Sequence, residues 1–235
     1  MIVAELEIFH SRPIAPTRRV ALGHRDLPTS PPPGFGGILL AGIVAARMED
    51  LDPDLFDDLH RLTLQLQEGH RIPQPRLRHR FQVDRIGLSR CIHRLVGEGE
   101  DLHFDLATKA APAQDILAAV YAAGRLPLAA RGRVMDTIRL AMRWSGELDR
   151  GFVAHVSGLD RSRAWSVRAF RDPVQWAIDV LNLGSDDLGA VPRRNEVQRS
   201  FRDLLRVAHP DHGGDSEGAA ERIAELSEAR RILLA

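Results

Sequence analysis

Apolar and polar positions partly alternate over residues 2–9 (IVAELEIF), with Glu5 and Glu7 turned the same way. That period of two predicts a β-strand. Residues 18–22 predict a second, short strand. Four prolines and three glycines in residues 28–37 predict a loop, stiff at first and flexible after. Residues 38–47 (ILLAGIVAAR) are apolar on all sides, so periodicity leaves both a buried strand and a buried helix open. Leu55, Leu59, Leu62 and Leu66 form one stripe of a helix over 53–68, with Asp52 placed to cap it and Pro53 in its first turn. Residues 70–84 read as loop and then strand. Residues 101–106 (DLHFDL) read as a strand, 112–123 as a helix stopped by Gly124, 133–144 as another helix, and 152–157 (FVAHVS) as a strand.

Near Asp172-Pro173 the texture changes. Helical periodicity then covers 174–183, 193–208 and 216–234. The expected fold class is therefore α+β: a mixed domain over 1–172, then a C-terminal all-α segment over 173–235 built on a helical hairpin. In its second helix Val197, Phe201, Leu204, Leu205 and Ala208 share one face, and Arg194, Arg199, Arg202 and Arg206 face outward. In the third, Ala219, Ile223, Leu226, Arg230 and Leu233 form the inner stripe, and Glu217, Glu221, Glu225 and Glu228 the outer one. Two such helices bury their stripes by packing antiparallel.

Composition narrows the function classes. Of 235 residues 44% are hydrophobic but only 5% aromatic, so a core of Leu, Ile, Val and Ala is expected. Basic and acidic residues balance at 32 each, which excludes a chain-wide polycation for nucleic acid or anionic membrane. Lys109 is the only lysine, read as a coding bias towards arginine. Cys91 is the only cysteine; this excludes an intrachain disulfide and a zinc site of two thiolates, and fits a reducing compartment. Beside Ile92 it reads as a buried apolar residue. No signal-like leader is evident, and the longest apolar run, 35–46, is shorter than the roughly 20 residues a spanning helix needs. A soluble cytoplasmic protein is expected, with no membrane partner.

Residues 70–94 hold seven arginines, three histidines and one acid, Asp84, while 49–58 hold six acids. Mutual neutralisation of the two runs, or a solvated surface, is preferred over nucleic-acid binding. His103 and Asp105 stand two apart on a strand without a third partner, so no metal site is assigned. Asp50, Asp52 and Asp54 lack the glycine and glutamate of a calcium loop. Nucleophile-elbow, phosphate-loop, dinucleotide and zinc-protease motifs are all missing. No catalytic residue and no cofactor are predicted.

The remaining motif is His209-Pro210-Asp211, followed by HGGD, between the last two helices. Pro210 stops a helix, and Gly213 and Gly214 let the chain reverse. With AIDVLNLG before it, EVQRSFRDLLRVAHPD around it and AAERIAELSEARRILL after it, residues 174–235 resemble a J domain, the signature module of DnaJ co-chaperones. The shortness of the segment is most similar to the import-motor type. The resemblance implies that His209, Pro210 and Asp211, with the basic positions Arg199 and Arg202, dock on a DnaK-type heat-shock chaperone and stimulate its ATP hydrolysis. Arg206 is a further basic candidate. Asp203 and Val207 stand where basic residues are frequent, and Arg230 where an aromatic is usual. The expectation is a co-chaperone that is not itself an enzyme, with residues 1–172 giving client or site specificity. The alternatives are an enzyme of unlisted site, or a nucleic-acid-binding module, carrying the J-like segment as a tether.

Overall fold

The computed structural model describes residues 1–12, 18–30, 32–75, 77, 79–98, 101–157, 172–184, 192–208 and 219–234. Among these are five strands and eight α-helices, an α+β fold. The chain divides into two compact units, Met1–Glu98 with Leu102–Gly158, and Gly99–Asp101 with Leu159–Ala235.

In the first unit the strands are β1 (Ile2–His10), β2 (Arg18–Asp26), β3 (His79–Phe81), β4 (Ser89–Glu98) and β5 (Asp101–Asp105). They form one sheet in the order β3-β2-β1-β4-β5. β1 is central and runs antiparallel to both β2 and β4, whereas β2 and β3 are parallel. Ala4, Leu6 and Ile8 lie opposite Leu95, His93 and Cys91 of β4. Residues paired directly across two strands share a face, and all six are buried. This is the covered face of the sheet. The opposite face pairs Glu5 with Arg94.

Helices α1 (Gly34–Met48) and α3 (Pro112–Gly124) supply the apolar cover, with α2 (Phe56–Gln67), α4 (Leu128–Ala141) and α5 (Arg150–Ser157) around them. The glycine-rich stretch expected as loop is in part the first turn of α1. Its glycines serve close packing: a Cβ on Gly36 would stand 2.6 Å from the Leu27 backbone, and one on Gly42 would stand 2.2 Å from Phe104. The apolar run 38–47 is thereby decided as helix. The α2 stripe is as expected, with Leu59, Leu62 and Leu66 buried. Asp52 caps a short 3₁₀ turn ahead of it, accepting from the Asp54 N–H.

Two expectations are corrected. Residues 152–157 are helix α5, not strand. Asp149 accepts from the Phe152 N–H at 3.0 Å, and Phe152 packs edge-on against Phe104 and Trp144. Capping and core burial override the strand preference of FVAHVS. β4, which lies beside the central strand, begins inside the arginine-rich run 70–94, for which no strand was expected beyond residue 84. Its arginines, Arg90 and Arg94, share the outward face with Ile92 and Val96, so Cys91, His93, Leu95 and Gly97 face the core.

The second unit contains α6 (Pro173–Val180), α7 (Arg194–Ala208) and α8 (Ala219–Leu234). α8 packs on both α6 and α7. Trp176, Ala177, Val180, Leu181, Val197, Leu226 and Ala229 form its core, and Phe201 and Leu204 pack against it. Asp172 caps α6 through the Gln175 N–H, and the Ser200 hydroxyl donates to the Leu181 carbonyl. Arg230, expected on the inner stripe of α8, is exposed with its guanidinium 4.9 Å over the Phe201 ring. Glu228, expected on the outer stripe, is buried and held by Arg231. Among the described residues no helix is long and apolar enough to cross a membrane.

Candidate functional site

α7 displays the basic positions singled out from the sequence. Arg199, Arg202 and Arg206 are all exposed, at spacings of three and four that place them on one flank of the helix. The Arg202 Nε donates to the Gln198 carbonyl at 3.1 Å, one turn back. Asp203 is exposed on the same helix and Val207 is 72% exposed, which thins the basic flank. His209, Pro210 and Asp211 lie outside the described residues.

The first unit holds a polar cluster that sequence reasoning did not assemble. On the covered face of the sheet, the His93 Nε2 donates to Asp115 Oδ1 at 3.1 Å. The Arg47 Nε from α1 donates to Asp115 Oδ2 at 2.9 Å, and its Nη2 donates to the Ala107 carbonyl at 2.5 Å. Asp115 is fully buried and His93 is 1% exposed. An acid at such depth holds its charge only with a paired cation and full hydrogen bonding, and Arg47 and His93 supply both. The Cys91 Sγ lies 3.9 Å from His93 Nε2.

This trio is not a nucleophile–base pair. Burial, reinforced by the Asp115 charge, pushes the Cys91 thiol up to about 12, so it stays protonated and unreactive at neutral pH. One ligand atom each from Cys91, His93 and Asp115 lies within 4.8 Å of the others, a donor set of the zinc type. Arg47 already balances Asp115, and the cluster couples α1 and α3 to β4. The signal in the sequence was the inward alternation of Cys91 and His93; Asp115 was legible only as a polar residue of a helix, and Arg47 only as the end of an apolar run.

Among the described residues of the basic run 70–94, Arg90 and Arg94 are paired with acids, which come from β1 and β5. The Arg94 Nε donates to Glu5 Oε2 at 2.8 Å, Arg94 Nη1 lies 3.9 Å from Asp105, and Arg90 pairs with Glu7. Arg85 stands 4.9 Å over the Phe9 ring. Glu7 also accepts from the His24 N–H at 2.8 Å. That bond, with Arg90, holds its carboxyl below the ordinary glutamate range against the opposing effect of burial. His103 and Asp105 are both exposed on β5.

A second feature is an open groove of about 720 Å³ between the chain after α2, the end of β3 and the ends of α3 and α4. Phe81 and Tyr121 stack in it at 3.9 Å. Arg71, Arg125 and Arg131 line it, and among the described residues no aspartate or glutamate does. No family model, curated protein or solved structure matches the chain.

Proposed function

We propose that this chain is a cytoplasmic J-domain co-chaperone. In this reading residues 173–235 recruit a DnaK-type heat-shock chaperone and stimulate its ATP hydrolysis, and residues 1–172 give client or site specificity. The protein carries out no covalent chemistry of its own. The observation that carries the reading is the sequence His209-Pro210-Asp211 between two amphipathic helices of matching length. The exposure of Arg199, Arg202 and Arg206 on α7 supports it.

The roles follow from chemistry. Asp211 pairs with a cation of the chaperone, while Pro210 and His209 shape the tip. The arginine flank attracts an acidic surface and speeds encounter in a salt-dependent way. Arg230, where an aromatic is usual in J domains, keeps a contact with α7 through its cation–π geometry over Phe201.

The test is ATP turnover by a DnaK-type chaperone from the same source, with and without the full chain, beside Asp211→Asn. Stimulation by the wild type, lost in a variant with unchanged circular dichroism, is expected. A folded wild type that leaves turnover unchanged rejects the co-chaperone reading.

A further inference from the structure

The groove of the first unit has an unbalanced charge. Its cations come from three separate elements. Arg71 follows α2 and is exposed. Arg125 follows α3 and lies 5.0 Å over the Phe81 ring. Arg131, on α4, gives its Nε and Nη2 to the Leu126 carbonyl at 3.2 and 3.0 Å. Its Nη1 is left beside Gly69, where a Cβ would stand only 3.3 Å away. Gly69 has φ +88°, so a backbone conformation that favours glycine also keeps that guanidinium uncovered.

No carboxylate among the described residues pairs with Arg71, Arg125 or Arg131. Glu68, 3.6 Å from the groove-lining His70, is exposed. This contrasts with Arg90 and Arg94, each matched to an acid of β1. Arg25 adds a like charge: burial and the nearby Arg125 both lower its affinity for a proton. Arginines drawn together without an acid create a positive potential that an anion relieves.

The rest of the wall is mostly apolar, with His70 and Gln82 its other polar side chains. Leu66, Ile72 and the stacked Phe81–Tyr121 pair line the same groove. Tyr121 is fixed there, its hydroxyl donating to the Ile72 carbonyl. A volume of about 720 Å³ far exceeds that of a bare inorganic anion and suits a small organic ligand. Guanidinium forks match phosphate oxygens, and an apolar, aromatic wall suits a flat ring.

We infer that this groove binds a nucleoside phosphate, with Arg71, Arg125 and Arg131 on the phosphate oxygens and the base against the Phe81–Tyr121 side. A small ligand is favoured over a nucleic-acid strand because β4, whose Arg90 and Arg94 are already paired with acids, is separated from β3 by β2 and β1 and does not extend the basic lining. The site stands independently of the chaperone reading, since all of its residues belong to the first unit.

The experiment is calorimetric titration of the full chain at near-physiological salt with ATP, GTP, adenosine, pyrophosphate and a short oligothymidylate. Saturable binding of ATP or GTP, with adenosine and pyrophosphate each at least ten-fold weaker, is expected. Arg125→Ala and Arg71→Ala each lower the affinity about ten-fold, the worth of one charge-assisted hydrogen bond, and Arg125→Lys restores part of it. Circular dichroism of each variant verifies the fold. Absence of saturable nucleotide binding, or affinity unchanged in both alanine variants, overturns the assignment. Pyrophosphate binding as tightly as ATP overturns the ring contact. Oligothymidylate binding more tightly than ATP overturns the small-ligand choice in favour of a strand.

Discussion

Asp115 in the sheet unit and Glu228 in the helical unit are both acids with almost no exposure, yet they are held in different ways. Asp115 takes its partners from far along the chain, Arg47 on α1 and His93 on β4. Glu228 is gripped by Arg231, three residues on in the same helix, at 2.6 and 2.7 Å. Long-range pairing makes the charge part of the tertiary fold: if α1, α3 and β4 separate, the Arg47 ion pair and the His93 hydrogen bond are lost together. Local pairing survives wherever the helix does. The sheet unit thus turns its charges into structure. Among its described residues the helical unit pairs Arg222 with Glu225 and Arg231 with Glu228 within one helix, and leaves the α7 arginines displayed.

The sharpest way to break this comparison is to remove the two acids in turn. Asp115→Ala leaves the half-buried Arg47 and the buried His93 without their shared carboxylate and is expected to destabilise the first unit by about 3–5 kcal/mol. Glu228→Gln, whose Arg231 partner is local and largely in solvent, is expected to change stability by less than about 1 kcal/mol. Denaturant midpoints of both variants check this. Equal effects would mean that long-range pairing is not what distinguishes the two units.

Acid sharpens the contrast next. Burial lowers the His79 pKa, opposed by its bond to the Leu77 carbonyl, and the Glu7 carboxyl is also lowered. For both, the folded pKa lies below the unfolded one, so the stability they contribute is present above the unfolded pKa and is lost as pH falls through the folded one. The His79 contribution therefore fades below about pH 6.5 and that of Glu7 below about pH 4.3. Urea unfolding at pH 7.5, 5.5 and 3.5 should show a stepwise loss. The step between 5.5 and 3.5 should shrink in Glu7→Gln.

The smallest stability effect is expected on α7. Arg199→Ala and Arg202→Ala should leave unfolding within about 0.5 kcal/mol of the wild type, as exposed positions do. They should still weaken association with a DnaK-type chaperone, more at low salt than at high. Surface-resonance binding at two salt concentrations reads this directly. A stability loss in either variant without a binding loss would mark these arginines as structural.

How far each region was legible follows from the same distinction. The helical unit was readable because its information is local: the 3.6-residue stripes of α7 and α8 lie in consecutive residues. Arg230 and Glu228 were misassigned because a long side chain can lean off its own stripe, as Arg230 does over Phe201. In the sheet unit β1, β2, β5, α2 and α3 were visible from period and caps. β4 was not, because Ile92 and Val96 share its outward face with Arg90 and Arg94 and blur the alternation. Helix α5 was not, because Phe152 is fixed by Phe104 and Trp144 from elsewhere in the chain. Asp115 and Arg47 could not be joined from sequence for the same reason, and neither could the three arginines of the groove.

The place of β1 in the sheet also sets an order of events during synthesis. Its His10 must find Ser89 and its Ile2 must find Val96, residues that the ribosome adds much later. Until then β1 can pair only with β2, and the apolar row Ala4, Leu6 and Ile8 lacks half of its neighbours. Such distant pairing slows folding and leaves a nascent strand open to unwanted association. Production of the first unit should therefore be sensitive to translation rate and temperature, and a truncation before β4 should yield insoluble chain.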